Sequence, residues 1–564
     1  MDNKMSSSTD AHLILIGVVI LGAAIYVPVT DLWSCWMGRW ELRMICCLLL
    51  GLIATLTIAL VINGLTVIRK GRAKERAILG PAKDAVFCGL AKNTQTVFIK
   101  PKQRIMHTQV VGTTNAGKTE SVILPWAIQD MKQGRGLMLI DGKSDRGLLN
   151  KLWAYAVKYG REKDFKLFAL GSVAESQTFN PLIGGSPEEV AERVFNAFNF
   201  ENEFYRSIQF EVLVQVLRVF EFAKEPATFL KLHQAISNPV ILQSLVNRCT
   251  DKVLSHWLLN FRNLPGFERE QRTSGLLSQM SHFAFGSGSR LFNSSIPEID
   301  IARALEHHEI IYFQLPVLLS PFMGAATGKL VLQSLQSAIA KRHRDHASKR
   351  PFYSVFLDDF TEYLYPGFVS ILNKSRSANI GVVFAHQALG DIEALGDSIA
   401  NAILTNSNLK IFMRGNDPDS AEHFAKIVGT KTGLKITERR QLGILTDTAT
   451  GDVSSREVEE FIIHPNYFKR SLGVGEAVMV VPHDGGSQTV QLKFSMLPDL
   501  PVLPVPNREL PAAEGFLETA ENHCLNDETI SEVLNKQVKE PYAAIQKTDL
   551  GSHDLSSNRL LSAS

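Results

Sequence analysis

Cysteine is scarce in this chain: six occur in 564 residues, and none stands in a C-x-x-C spacing. Cys35, Cys46, Cys47, Cys88, Cys249 and Cys524 therefore suggest neither a zinc site nor a disulfide framework. Three of them lie in or beside the apolar N-terminal region, and the remainder suit a reducing cytosol for the main body. Excess charge is also missing. A formal net charge of +2 excludes a broadly basic nucleic-acid coat protein, so any nucleic-acid contact must be local. No internal repeat stands out, and no array of stacking aromatics accompanies the basic stretches.

The length predicts three or four structural units, and 45% hydrophobic residues suffice for sizeable cores. Two apolar runs open the chain. Leu13–Val29 is just long enough to span a bilayer, and Met44–Ile68 spans it comfortably. Trp33, Trp36 and Trp40 between them suit an interfacial belt, and Arg69, Lys70, Arg72, Lys74 and Arg76 mark the cytoplasmic side. The alternative for the first run is a cleaved signal peptide. Its weakly charged start and the lack of a clear small-residue cleavage site speak against that. The expectation is a two-helix membrane anchor over residues 1–76, with both chain ends cytoplasmic.

Next comes GTTNAGKT, Gly112 to Thr119, which fits G-x-x-x-x-G-K-[ST] at every fixed position. A short β-favouring run, Thr108–Val111, precedes it, and a helical pattern with Pro125 as a blemish follows. Gly112, Thr113, Thr114, Asn115, Ala116 and Gly117 would aim backbone N–H groups at the phosphates of ATP. Lys118 would reach the β- and γ-phosphates, and the Thr119 hydroxyl would sit on Mg²⁺. The acidic partner is expected at Asp358-Asp359, after the apolar run SVFL. Asp358 would hold the Mg²⁺ water shell, and Asp359 could polarise the attacking water. Many such ATPases carry glutamate at that second place.

Further strands are expected at Gly136–Ile140, which ends in the unusual cluster DGKSD (Asp141–Asp145), and at Glu309–Leu315, Ile380–His386 and Asn408–Met413. A hairpin is expected from 476–481 and 488–494. Ser186-Pro-Glu-Glu189 reads as a capped helix start, and the chain stays helical in pattern to roughly Ser294. Gln387, closing the Ile380 strand, occupies the place where RecA-like motors sense the γ-phosphate. The predicted domains are an α/β nucleotide-binding domain (77–183 and 300–498), an inserted all-α domain (184–299) and a flexible acidic tail (499–564). One short helix is expected in that tail near Glu528–Val538.

The ordered set of two membrane helices, GTTNAGKT, DGKSD, FNPL, an all-α insertion, FLDDF, SRSANIGVVFAHQ and NLKIFMRGNDPDSAEHFAKIVGT resembles the type IV coupling proteins of the TraD/TraG family. The resemblance implies an α/β RecA-like P-loop NTPase domain with an inserted all-α subdomain, preceded by two transmembrane helices. It implies a homo-hexamer at the inner-membrane base of a type IV secretion channel. That motor recruits a relaxase–DNA complex and drives single-stranded DNA transfer by ATP hydrolysis. Lys118 and Thr119 match the Walker A pair, Asp358 the Walker B aspartate, and Gln387 the glutamine closing the next strand. Asp359 departs from the usual glutamate. Ring ATPases complete a site with a neighbour's arginine. Arg414 is the candidate and Arg376 the reserve, unless Arg414 pairs with Asp417 or Asp419.

DNA is less directly indicated than ATP. The densest basic run outside the membrane flank, Lys341–Arg350, either lines a channel or ends a solvated helix; Arg439 and Arg440 are equally ambiguous. Two other classes remain open: a coupling ATPase for protein effectors, and a non-hydrolysing docking receptor. A chromosome pump of the FtsK type usually has more spans and a winged DNA-reading domain, which nothing here resembles.

Overall fold

The computed structural model describes residues 44–45, 47–63, 80–200, 202–345, 350–442 and 447–516. The chain divides into two compact units, Met1–Gly80 and Pro81–Ser564. In the first, residues 47–63 are helical, with apolar side chains such as Leu48 and Leu60 exposed. The Thr55 and Thr57 hydroxyls turn back onto the carbonyls of Leu52 and Ile53. No helix among the described residues is long and apolar enough to cross a membrane. The two expected spans are therefore not borne out there. The run 13–29, the Trp33–Trp40 belt and the basic cluster 69–76 lie outside the described residues.

The second unit is built on strands β1 (Val86–Ala91), β2 (Thr96–Ile99), β3 (Thr108–Val111), β4 (Gly136–Asp141) and β5 (Phe165–Ala169). It continues through β6 (Ile310–Gln314), β7 (Tyr353–Asp358), β8 (Ile380–His386) and β9 (Leu409–Phe412). Last come β10 (Thr430–Leu442), β11 (Asp447–Phe461), β12 (Glu476–His483) and β13 (Gly486–Phe494). Eleven of them form one sheet in the order β2-β1-β13-β12-β9-β3-β8-β7-β4-β6-β5. The stretch from β9 to β5 is parallel throughout. Its strands are buried on both faces, and they read as continuous apolar runs rather than alternating ones. The β12–β13 hairpin and the β1–β2 pair extend the β9 edge antiparallel.

Between β5 and β6 the chain is helical, as expected. Ser186 accepts from the Glu189 N–H in a capping box, with Pro187 in the first turn. The helices of this region include Pro187–Ala197, Glu203–Phe222, Phe229–Ser237, Pro239–Val246, Lys252–Arg262 and Gly266–Phe285. These helices share one hydrophobic core with the sheet, running from Met138 and Phe168 to Phe229 and Phe283.

Three features differ from expectation. Strands β1, β2 and β5 were not anticipated, nor was the long β10–β11 hairpin, which forms its own two-stranded sheet. Its polar, charge-rich sequence lacks the apolar face by which half-buried strands are recognised. Pro125 does not stand inside a continuous α-helix. The turn before it, Thr119–Ile123, opens to π geometry, and Pro125 sits in the first turn of the α-helix that follows, Leu124–Lys132. An α-helical turn would press the proline ring against the carbonyl four residues back.

The third is a correction to the flexible tail. Residues 499–516 are strapped onto the helical region. Arg290 donates to the carbonyls of Leu510 and Pro511, the Glu514 N–H donates to Asn293, and the Ser295 N–H donates to the Glu514 carboxylate. Phe516 packs on Phe220 with centroids 5.7 Å apart, and Val505 is buried. Apolar side chains set between the prolines give this stretch something to bury. The rest of the tail, including 528–538, lies outside the described residues.

Candidate functional site

The carboxyl ends of four neighbouring parallel strands meet at one edge of the sheet. Val111 of β3 pairs with His386 of β8, and Asp358 of β7 pairs with Asp141 of β4. In open α/β sheets this edge is where ligands bind.

The loop leaving β3 is held from three sides. Its Thr113 N–H and hydroxyl donate to the Arg414 carbonyl at 2.9 and 3.2 Å. The Gly475 N–H donates to Ala116 at 3.1 Å, and the Thr114 hydroxyl donates to the Gln387 amide oxygen at 3.3 Å. Asn115 and Gly117 have φ of +63° and +95°, which bends the backbone around a concavity. A Cβ at Gly112 would stand 2.9 Å from that of Met413, so only glycine fits at that crossing.

Lys118 is buried, and its ammonium donates to the carbonyls of Gly112 and Thr113 at 2.6 and 3.3 Å. Burial pulls its pKa down, against the opposing charges of Asp359 and Asp358. The Thr119 hydroxyl donates to the Asp358 carboxylate at 2.5 Å. Burial pushes Asp358 up to about 6; the Thr119 hydrogen bond works against this and the Asp359 charge adds to it. One hydroxyl and one carboxylate side by side are hard oxygen donors of the kind Mg²⁺ takes. Among the described residues no group of three or more His, Cys, Asp or Glu could hold a metal. An ion here must draw its other ligands from phosphate and water.

Asp359 is nearly buried and left-handed, with φ 44° and ψ 48°. Its carboxylate is ion-paired to Lys143 of the DGKSD cluster. Gln387 is exposed, and its N–H is fixed by the Asp391 carboxylate at 2.8 Å. Arg414 follows β9 and is half-buried; among the described residues it makes no ion pair with Asp417 or Asp419. Asp417 instead caps the Pro418–Val428 helix through Ser420. Arg376 precedes β8 at the opposite edge, roughly 20 Å from the loop at the rise of a seven-residue strand.

Asp391, Gly475 and Tyr312 also contribute to this edge and were not anticipated. The Gly-Val-Gly turn before β12 was the one available signal for Gly475. In the basic run, Arg342 is buried against Glu306 and the Pro351 carbonyl, while His343 and Arg350 bond to carbonyls of 374 and 377. Arg342 and His343 stand in the last turn of the helix Pro321–Arg344 and Arg350 just before β7, and all three support the fold. Lys341 and Arg344 stay exposed, 346–349 lie outside the described residues, and the model describes no side chain for Arg439 or Arg440.

Fold and site together define an α/β P-loop fold of the nucleotide-binding class. The family model described as the TraM recognition site of TraD and TraG matches residues 353–470. The type 4 coupling protein DotL of Legionella pneumophila is 24% identical over 392 residues, covering 58% of this chain and 50% of DotL. The chain thus spans about half the length of that curated relative. Among solved structures, the conjugative coupling protein TrwBdeltaN70 superposes with TM-score 0.55 at 12% identity, over 77% of this chain and 93% of that one. TrwB with a non-hydrolysable GTP analogue gives 0.56 at 13%, over 77% and 94%. TrwB with ADP and Mg²⁺ gives 0.54 at 13%, over 77% and 93%. The family these findings support is that of the type IV coupling proteins, TraD/TraG.

Proposed function

We propose that this protein is the ATPase of a type IV coupling machine, hydrolysing ATP to drive a relaxase-bound single DNA strand into a secretion channel. The observation that carries the reading is the meeting of Lys118 and Thr119, which follow β3, with Asp358 at the end of β7, closed by a 2.5 Å bond from Thr119 to Asp358. The family likeness and the nucleotide-bound TrwB structures support it.

In this reading the loop amides of residues 112–119 cradle the phosphates, and Lys118 exchanges its two carbonyl partners for phosphate oxygens. Thr119 and Asp358 hold Mg²⁺, which neutralises charge on the β- and γ-phosphates when bound. Asp359 orients and deprotonates the attacking water. Gln387 and Arg414 stand on the γ-phosphate side, one as sensor and one as a stabilising charge. The helices of 184–299 form a domain inserted in the motor. The apolar runs 13–29 and 44–68 anchor a homo-hexamer in the bacterial inner membrane.

The test is ATP hydrolysis by the full chain in lipid nanodiscs, with and without single-stranded DNA, beside Lys118→Ala. DNA-stimulated turnover that Lys118→Ala abolishes is the expected result. Turnover indifferent to DNA moves the cargo to protein effectors. No turnover at all leaves a docking receptor.

A further inference from the structure

The DGKSD cluster has no role in the reading above, yet it forms a built arrangement across three strands. Asp141, at the end of β4, is buried. One of its carboxylate oxygens accepts the Lys143 N–H at 2.9 Å. The other accepts the Asp145 N–H at 2.7 Å and the Tyr312 hydroxyl of β6 at 2.8 Å. Ser144 takes φ 59°, and Asp145 then caps the Arg146–Lys158 helix through the Gly147 N–H. The turn is thus fixed at both ends, and Lys143 projects from it to the carboxylate of Asp359.

Asp359 needs such a partner. It lacks one methylene of the usual glutamate, and its left-handed backbone is uncommon for a non-glycine residue, although aspartate tolerates it better than most. We infer that Lys143 is a positioning residue for hydrolysis, holding the Asp359 carboxylate where it meets the attacking water. This rests on the ATPase reading. Partial burial pulls the Lys143 ammonium down, but the hydrogen bond to Asp359 and the charges of Asp358, Asp359 and Asp141 outweigh it, so the lysine stays charged. Its side chain is half exposed, so removal leaves no cavity in the core.

The test uses the full chain in nanodiscs as wild type, Lys143→Ala, Lys143→Arg, Asp359→Ala and the double alanine variant. Steady-state ATPase, affinity for a fluorescent non-hydrolysable ATP analogue and thermal midpoint are measured for each. Lys143→Ala should lower kcat roughly 10- to 100-fold, the scale on which misplaced reacting groups act. KM, analogue affinity and midpoint should stay within about twofold or a degree or two. The double variant should be no slower than Asp359→Ala, since the lysine acts through that carboxylate, and Lys143→Arg should recover most of the rate. An unchanged kcat, multiplicative losses in the double variant, no recovery with arginine, or a loss confined to KM and analogue affinity would each overturn the inference. The last would make Lys143 a phosphate ligand. A wild type without turnover removes the ATPase reading and this one together; an active wild type with unaffected Lys143→Ala removes this one alone.

Discussion

Asp358 places function and stability in opposition, and replacing it with asparagine should reveal both. The carboxyl is almost fully buried, and desolvation moves it from an ordinary 3.8 to about 6. That corresponds to about 3 kcal/mol against the ionised form. Because the folded state holds this proton more tightly than the unfolded chain, stability from this group is fully present below about pH 4 and is lost as pH rises through about 6. At neutral pH the nucleotide-free protein therefore carries the full penalty. Asparagine has the same shape and no charge. Its amide oxygen can accept the Asp359 N–H that now bonds to Asp358 at 3.1 Å, and its NH₂ can donate to the Thr119 oxygen. Allowing for imperfect hydrogen bonds, Asp358→Asn should stabilise the nucleotide-free protein by ~2 kcal/mol at neutral pH, a gain of a few degrees in midpoint. Hydrolysis should be lost. Thermal melts of both proteins across pH, without nucleotide or Mg²⁺, are the assay. The two curves should converge near pH 4 and separate above about 6. An asparagine variant no more stable than wild type at neutral pH, or a gap independent of pH, would refute the reasoning.

Three further outcomes are expected. Arg104→Met should destabilise the protein by about 3–5 kcal/mol in denaturant unfolding, because it strips a fully buried bidentate partner (2.8 Å to each oxygen) from Asp130. Adding Asp130→Leu should recover much of that loss. Truncation after Pro498 should lower the midpoint of the helical region, since burying Val505, Leu510 and Phe516 contributes about 1–3 kcal/mol each; truncation after Phe516 should not, and equal midpoints would show the strap is idle. Mixed rings of Lys118→Ala and Arg414→Ala subunits should recover partial ATPase activity, because a ring ATPase site is completed by a neighbour's arginine; no recovery in rings shown to contain both subunit types would remove Arg414 from that role.

The central strands were legible because a strand buried on both faces is written as an unbroken apolar run. Ile380–His386 was placed to the residue, and β7 and β9 to within one. The P-loop was legible because its glycines answer to backbone geometry, at Gly112 and Gly117, rather than to packing. Elements outside that logic were missed. β1 is interrupted by Gly89 and leaves Leu90 exposed, β2 begins on an exposed threonine, and β10–β11 is rich in polar and charged residues. The strap was read as a mobile tail because four prolines punctuate it and an acidic stretch follows, while its three anchoring side chains are separated by four or five residues each.

The roles at the site were less legible than its membership, for a physical reason. Lys118, Asp358, Asp359 and Gln387 each end or follow a strand, and a strand end can be read from sequence. Which ends stand together depends on the strand order β3-β8-β7-β4. Only the order puts Lys143, on the loop after β4, beside Asp359 after β7, more than two hundred residues away in the chain. Strand direction, not order, sets Arg376 at the amino end of β8, away from the P-loop, and leaves Arg414, after the carboxyl end of β9, with its carbonyl against that loop. Proximity along the chain was thus a sound guide to which strand a residue serves and a poor one to which end it occupies.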